Sequence, residues 1–570
     1  MEETEGKTLT EGKATVIYEE KHVFYNPIQE FNRDLSILMI KMYNEQLKIE
    51  AEQNGKSHPG IDILEALSAT GLRSIRYWKE IPNINKIIVN DLEPTAVETI
   101  KKNLEFNNID ITKCIPNQGD CNDVMYGVRN ATKKFDVVDL DPYGTASPFL
   151  DAAVQALNHG GLLCVTCTDL AVLCASHPET CYAKYQAIPL KGEHCHETAL
   201  RIVLNNIQSH AVRYKKTIEP LVSIYVDFYV RLFVRVYDNP HATKSAFSRS
   251  GMLYQCGGCK TFWPSRFGEV TQDNKGNSKY KMTIGPTVPP KCEFCGSTVK
   301  MGGPLWLDPM HNVPWVKRAL QHLEQEETKS MYKSHKRIKG LLSICAEELP
   351  GSPLYYNHSA LCNIARLETP SLIVFRSAVL STGHKVSASH CVPNAIKTNA
   401  PNTVIWDIIR AWNKLHPAKL ANLHPESPGR KILSVEPVIT VDFKERSDAK
   451  FDSGKIPRFI KTPGGGPKAR AKGKRSRNSE DGNTPAPTER AARKRKTNST
   501  TTNPSPLPPP TTEKVRKRSY VSFKIQRTNF STWTTTRPYF FQRLNFNTSK
   551  LLFKSNCNFG IWNLFKRFLK

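Results

Sequence analysis

An α/β fold with a mostly parallel, doubly wound sheet is predicted by three observations in residues 61–145. Short apolar runs alternate with helix-like stretches, a turn of small residues follows the first run, and an acid recurs where the runs end. Strands that alternate with helices build βαβ units, and buried parallel strands read as continuous apolar runs rather than as alternation.

Each element follows in order. Ile61 to Leu67 reads as the first strand, Ser68-Ala69-Thr70-Gly71-Leu72-Arg73 as the small-residue turn, and Ser74 to Glu80 as a helix. Lys86 to Asp91 is a second strand, followed by a helix over Thr95–Asn107. A third strand near Ile111–Ile115 leads to Gln118-Gly119-Asp120-Cys121. The fourth, Phe135 to Leu140, stops in Asp141-Pro142-Tyr143-Gly144, because Pro142 has no N–H to donate to a ladder. A fifth begins at Gly161, and alternation between Thr217 and Tyr237 supplies two more. Ahead of the sheet, Asn26-Pro27 marks a turn, and Asp34 or Ser36 opens a helix running to about Glu50.

Ligands of open α/β sheets sit beyond the carboxyl ends of the strands. Asp91, Asp120 and Asp141 fall at three such ends. Asp91 lies 20 residues after Gly71, the spacing at which an acid meets a ribose hydroxyl. The turn holds a single glycine, which does not make the cradle a pyrophosphate needs. That argues against a dinucleotide and for S-adenosylmethionine, with Asp120-Cys121 beside its adenine. Asp141 suits an exocyclic amine as hydrogen-bond acceptor, and Tyr143 suits the flat ring that carries it. Catalysis would then be positioning plus charge stabilisation. Arg33 is a candidate grip for a carboxylate, which its planar fork fits.

The net charge of +27 is unevenly spread. Residues 451–570 hold 27 Lys and Arg against 5 Asp and Glu, whereas residues 1–450 hold 53 against 48. The body is nearly balanced, and the basicity belongs to an appended tail suited to polyanions or nuclear import. No apolar run is long enough to span a membrane, and the acidic start is neither a secretory nor a transit signal. Fifteen cysteines without such a signal imply a reducing compartment.

Cys256-Gly257-Gly258-Cys259 and Cys292-Glu293-Phe294-Cys295 are two knuckles separated by 32 residues. Four thiolates in that arrangement suit a tetrahedral structural Zn2+, with one insertion loop between them. A redox dithiol explains only one pair. His194-Cys195-His196 is set aside as a metal site, since a helix puts these neighbours on different faces. Lys184 and the aromatic residues beside it are candidates for RNA contact. Short helices and then a strand over residues 304–442 read as winged-helix-like, with Lys385, His390, Asn394, Lys397 and Thr398 as candidate phosphate contacts.

The resulting division is a disordered leader over 1–21, a catalytic domain over 22–245, a four-cysteine insertion over 246–303, a C-terminal domain over 304–442 and a disordered basic tail over 443–570. Basic clusters at 468–477 and 490–496 read as nuclear localisation signals, without excluding a mitochondrial isoform. Nothing in the sequence points to an obligate protein partner.

Four long motifs carry a family resemblance: Phe24-Tyr25-Asn26-Pro27 with Phe31-Asn32-Arg33-Asp34, Ala69 to Arg76, Asp139 to Gly144, and Gly161 to Asp169. Together, from about Val23 to Val441, they resemble the tRNA guanine-26 N2-dimethyltransferases. The resemblance implies a class I S-adenosylmethionine-dependent methyltransferase, Rossmann-like with a seven-stranded sheet, and a zinc-containing α+β C-terminal domain that binds tRNA. It implies transfer of one or two methyl groups to the guanine exocyclic nitrogen. By position, Arg33, Arg73, Asp91, Asp120 and Cys121 would hold the cofactor, Cys121 by its backbone. Asp141 would be catalytic, with Pro142 and Tyr143 completing its turn. The rivals are methylation of another planar amine such as adenine N6, an RNA-binding protein without catalysis and, least of all, a dinucleotide oxidoreductase.

Overall fold

A computed structural model describes residues 7–18, 25–450 and 456–460, all within one compact unit, residues 1–481. Strands are β1 (Lys7–Glu11), β2 (Ala14–Tyr18), β3 (Ile61–Glu65), β4 (Ile84–Asp91), β5 (Cys114–Gln118), β6 (Phe135–Leu140), β7 (Leu157–Cys167), β8 (Lys216–Val226) and β9 (Tyr229–Asp238). Five helices pack around the first half of the sheet: α1 (Glu30–Gln53), α2 (Leu72–Glu80), α3 (Pro94–Phe106), α4 (Cys121–Gly127) and α5 (Leu150–Ala156).

The central sheet has seven strands in the order β5-β4-β3-β6-β7-β9-β8. β3, β4, β5, β6 and β7 are parallel, and β9 runs antiparallel to both β7 and β8. This is the Rossmann-like arrangement of class I methyltransferases. The chain leaves β3 toward β4 on one side and reaches β6 on the other, so the strand order reverses at β3/β6. Every residue of β3 is buried, as a central parallel strand covered on both faces requires. One core lies under α1, α2 and α3, where Leu35, Ile75 and Ile100 meet Ile63 and Ile87. The other lies under α4, α5 and the helix Cys195–Arg213, where Met125, Val154 and Leu200 meet Val138 and Val165.

Three sequence expectations change. Residues 7–18 are not a disordered leader: they form the β1/β2 hairpin, whose outer edge is paired by side chains of α3 and the residue that caps it. Asn103 accepts from Ile17 N at 2.7 Å and donates to Ile17 O at 3.1 Å, and Asn107 does the same for Thr15 at 3.2 and 2.6 Å. Two amides one helical turn apart thus stand in for a neighbouring strand, which a strand-propensity reading does not see. The third sheet strand begins at Cys114, later than expected, because Asp110 accepts from Thr112 N at 2.8 Å and holds the preceding residues in a turn. The body also extends past 442. Phe443 packs on Trp412 with ring centroids 5.1 Å apart, Ala449 is buried, and Arg458 reaches Glu347 at 2.7 Å.

The four-cysteine insertion holds a three-stranded sheet, in which Ser250–Cys256 lies between Phe262–Arg266 and Val299–Trp306, and a two-stranded one of Gly268–Gln272 and Ser278–Met282. Farther on come the helices His335–Glu347, His358–Ile364 and Leu372–Ser381 and the strands Tyr356–Asn357, Val386–Ser389 and Val392–Thr398, the last of which is central in its sheet. Among the described residues no helix is long and apolar enough to cross a membrane. Phe24, the basic clusters at 468–477 and 490–496 and the rest of the tail beyond residue 460 lie outside the described residues.

Candidate active site

The carboxyl ends of β3, β4 and β6 open into a cavity of about 530 Å3, at the point where the strand order reverses. Arg33, Arg73, Asp91, Asp141, Pro142 and Tyr143 all line it. The turn after β3 approaches closely because Ala69 (φ 51°) and Gly71 (φ 75°) are left-handed. At Gly71 this conformation carries no Cβ penalty. Asp91 braces the turn, its Oδ2 accepting from Ala69 N at 2.8 Å and its Oδ1 from Glu93 N at 3.1 Å.

Asp120 and Cys121 do not line this cavity. Asp120 is exposed and caps α4 by accepting from Asn122 N at 2.7 Å. Cys121 is buried in the core, and burial pushes its thiol up to about 12.

The Asp141 turn stands on buried charge. Asp139 accepts from Tyr77 Oη at 2.5 Å and from Arg231 at 2.8 and 3.1 Å, with Arg73 Nη1 at 3.5 Å. Burial opposes ionisation of Asp139, but Arg231 and Arg73 outweigh it and hold the group below its ordinary value. Arg73 pairs directly with Asp141, whose side chain keeps 23% of its surface exposed. Pro142 is buried and Tyr143 is 88% exposed, a large aromatic face at the mouth of the cavity. Gly144 N donates to Thr168 Oγ1 at 2.9 Å and Thr168 N donates back to Gly144 O at 2.8 Å, tying the turn to the end of β7.

Arg33 makes a two-point pair with Glu11 of the hairpin, Nε to Oε1 at 2.6 Å and Nη2 to Oε2. Glu65, at the end of β3, accepts from Ser74 N at 3.0 Å, and burial raises it to about 7. Sequence reasoning missed Glu11, Glu65 and Arg231. An acid closing the first strand and an arginine within the apolar run of β9 were the signals available for the last two.

The four knuckle thiols converge. All four Sγ atoms lie within 4.8 Å of one another, with Cys256–Cys295 at 3.4 Å and Cys259–Cys292 at 3.6 Å. Tetrahedral zinc with Zn–S bonds of about 2.3 Å sets sulfurs about 3.8 Å apart, so the set fits the ion. Gly296 turns the second knuckle at φ 70°. The fold of the chain brings the distant pairs together: Cys256 ends one strand, and Cys292 precedes its partner strand Val299–Trp306.

The candidate RNA contacts divide. Lys385 and Asn394 are exposed and Thr398 is half-buried, but His390 and Lys397 are sealed inside. Lys397 Nζ sits 2.9 Å from Glu197 and 3.4 Å from Glu348. His390 Nδ1 lies 2.6 Å from Glu348 Oε1, and its Nε2 lies 3.2 Å from Tyr225 N. These two residues join the C-terminal region to the sheet and do not face solvent. Lys184 lies 3.3 Å from Asp169. In the His194-Cys195-His196 stretch, His194 bonds Thr198 and His196 stacks on Tyr225 at 3.9 Å. Cys195 and His196 come within 4.8 Å of Cys174, a neighbour the sequence did not reveal.

The family model for N2,N2-dimethylguanosine tRNA methyltransferase matches residues 4–410. This chain belongs to that family. The tRNA (guanine(26)-N(2))-dimethyltransferase of Mus musculus is 40% identical over 523 residues, covering 83% of this chain and 78% of the relative. The Schizosaccharomyces pombe enzyme of the same description is 41% identical over 492 residues, covering 79% and 89%. Among solved structures, Trm1 from Pyrococcus horikoshii in complex with S-adenosyl-L-methionine superposes with a TM-score of 0.56 at 28% identity, over 72% of this chain and 99% of that one. Membership accounts for the seven-stranded sheet. The cavity's polar groups suit that cofactor: a carboxylate at the end of β4, a small-residue turn and two arginines.

Proposed function

We propose that this chain transfers one or two methyl groups from S-adenosylmethionine to the exocyclic N2 of guanine 26 in tRNA. The observation that carries the reading is the Asp141-Pro142-Tyr143 turn facing the same cavity as Asp91, Arg33 and Arg73. The bound cofactor supplies an electrophilic methyl group on a sulfonium.

The chain's own residues do the rest. Arg33 and Arg73 receive a carboxylate, and Asp91 receives ribose hydroxyls while bracing the turn. Asp120 and Cys121 serve the adenine end from the start of α4 only if the nucleoside reaches beyond the cavity described above. Asp141 accepts a hydrogen bond from the amine, which aims the nitrogen lone pair and accommodates positive charge as the new bond forms. Tyr143 stacks on the base. Pro142, buried, stops the strand so that the turn projects, and Asp139 with Arg231 holds the strand end rigid.

Residues 304–442 form the tRNA-binding region in this reading. Within them, the helix–strand–helix–helix–strand–strand succession from His335 to Thr398 supports a winged-helix-like arrangement, with Lys385 and Asn394 the phosphate contacts left on its surface. The zinc held by the four knuckle thiolates is structural. The basic clusters at 468–477 and 490–496 direct the chain to the nucleus and add sequence-independent RNA affinity. The reaction as proposed requires neither a membrane nor an obligate protein partner.

The test incubates purified protein and labelled S-adenosylmethionine with unmodified tRNA, beside a tRNA whose guanine 26 is replaced. Label recovered as N2-methylated guanosine from the first alone is the expected result. Label in adenosine, or equally in both tRNAs, would overturn the assigned atom or site.

A further inference from the structure

We propose that Glu11 is a positioning residue for the cofactor, fixing the plane of Arg33 from within the N-terminal hairpin that walls the cavity. The inference rests on the reading of that cavity as an S-adenosylmethionine site.

The hairpin contributes Leu9, Val16 and Tyr18 to the cavity lining, whereas Glu11 stands behind the lining with 2% of its surface exposed. Its carboxylate is saturated. Oε1 accepts from Arg33 Nε at 2.6 Å and from Arg76 Nη1 at 2.7 Å; Oε2 accepts from Arg33 Nη2 and from Tyr25 Oη at 3.0 Å. A two-point pair of this kind fixes a guanidinium in orientation as well as in place. It occupies Nε and Nη2 and leaves the Nη1 edge for a carboxylate entering the cavity. Tyr25 adds a second restraint, its ring centroid 5.3 Å from the Arg33 guanidinium carbon. Burial opposes the charge on Glu11, but Arg33 and Arg76 outweigh it and hold the group at about 2, so the anion persists at neutral pH.

The hairpin has anchors of its own, so positioning can be separated from folding. Asn103 and Asn107 pair its backbone, and Asn103 also donates to Thr70 O at 3.0 Å in the turn after β3. Glu11→Gln keeps the volume but points an amide N–H₂ at Arg33 or Arg76, which breaks the two-point pair.

The experiment measures Kd calorimetrically on the full chain for two ligands, S-adenosylmethionine and 5′-methylthioadenosine, which lacks the amino-acid carboxylate. In Glu11→Gln, affinity for the first is expected to fall about tenfold, the scale of one charge-assisted hydrogen bond, and affinity for the second to stay the same. Glu11→Asp recovers part of the loss, and in an Arg33→Ala background Glu11→Gln costs nothing further. The KM for cofactor rises while kcat and the KM for tRNA hold. Equal loss for both ligands, or an unchanged Kd for S-adenosylmethionine in a folded Glu11→Gln protein, overturns the proposal. A wild-type chain that binds neither ligand overturns the cavity reading itself.

Discussion

Two clusters of buried charge sit about the central sheet, and they differ in what their open side faces. At the strand ends, Asp139, Arg231, Tyr77 and Arg73 are sealed, but the cluster continues to Asp141, which looks into a cavity. At the junction with the C-terminal region, Glu197, Arg201, Lys397, Glu348 and His390 close on one another, and each is at most 5% exposed. The chemistry is similar, yet only the first cluster has a member with solvent and space in front of it. Burial of charge by itself therefore marks a rigid support. A reactive position needs that support and an unsealed face.

The largest effect expected is on Asp141. Asp141→Asn keeps the shape but removes the anion and is expected to lower methyl transfer by about 10²–10³-fold, well beyond any change in cofactor Kd passed on through Arg73. Single-turnover assays beside calorimetry check it, and full activity would erase the distinction between the clusters.

Lys397→Met tests the other side. It leaves Glu197 and Glu348 without their shared cation and is expected to cost about 3–5 kcal/mol of stability, read by urea unfolding. Turnover per folded molecule should hold; a selective loss of turnover would mean the junction takes part in the reaction.

Two carboxylates, one beside each cluster, should respond to pH with opposite sign. Glu65 has a folded value raised to about 7 from an ordinary 4.5. Its contribution is fully present below pH 4.5 and is lost as pH rises through 7, on the order of 3 kcal/mol. Glu348 is shifted the other way: burial opposes ionisation, but His390 and Lys397 hold it below its ordinary value. Its contribution is present above the ordinary carboxylate range and is lost as pH falls below it. Thermal unfolding across pH of Glu65→Gln, flatter on the alkaline side than wild type, checks the first sign. A Glu65→Gln protein with an unchanged alkaline limb would refute it.

The smallest effect lies at the edge of the fold. Arg458 pairs with Glu347 at 2.7 Å, with side chains 17% and 30% exposed. Arg458→Ala is expected to cost under about 1 kcal/mol, measurable as a small shift in urea midpoint.

Much of the catalytic half was legible in the residues. Apolar runs ending in Asp91 and in Asp141-Pro142 located β4 and β6, because parallel strands have continuous burial and a proline ends a ladder. The Cys-x-x-Cys pairs located the thiol cluster, because short spacing holds two ligands on one turn. The hairpin was illegible for an opposite reason: its edge is paired by Asn103 and Asn107, some ninety residues away in sequence. His390 and Lys397 were misjudged because an unpaired lysine on paper looks solvated. Its carboxylates, Glu197 and Glu348, lie in one distant helix and at the end of another.

The sequence by itself determined the periodicity, the alternation of strands with helices and the residue types at strand ends, since these are local properties of the chain. Only the tertiary structure decided which charges are open and which are sealed. That depends on partners brought together across the fold, and it separates Asp141 from Lys397, and Arg33 with its hidden Glu11 from a solitary grip.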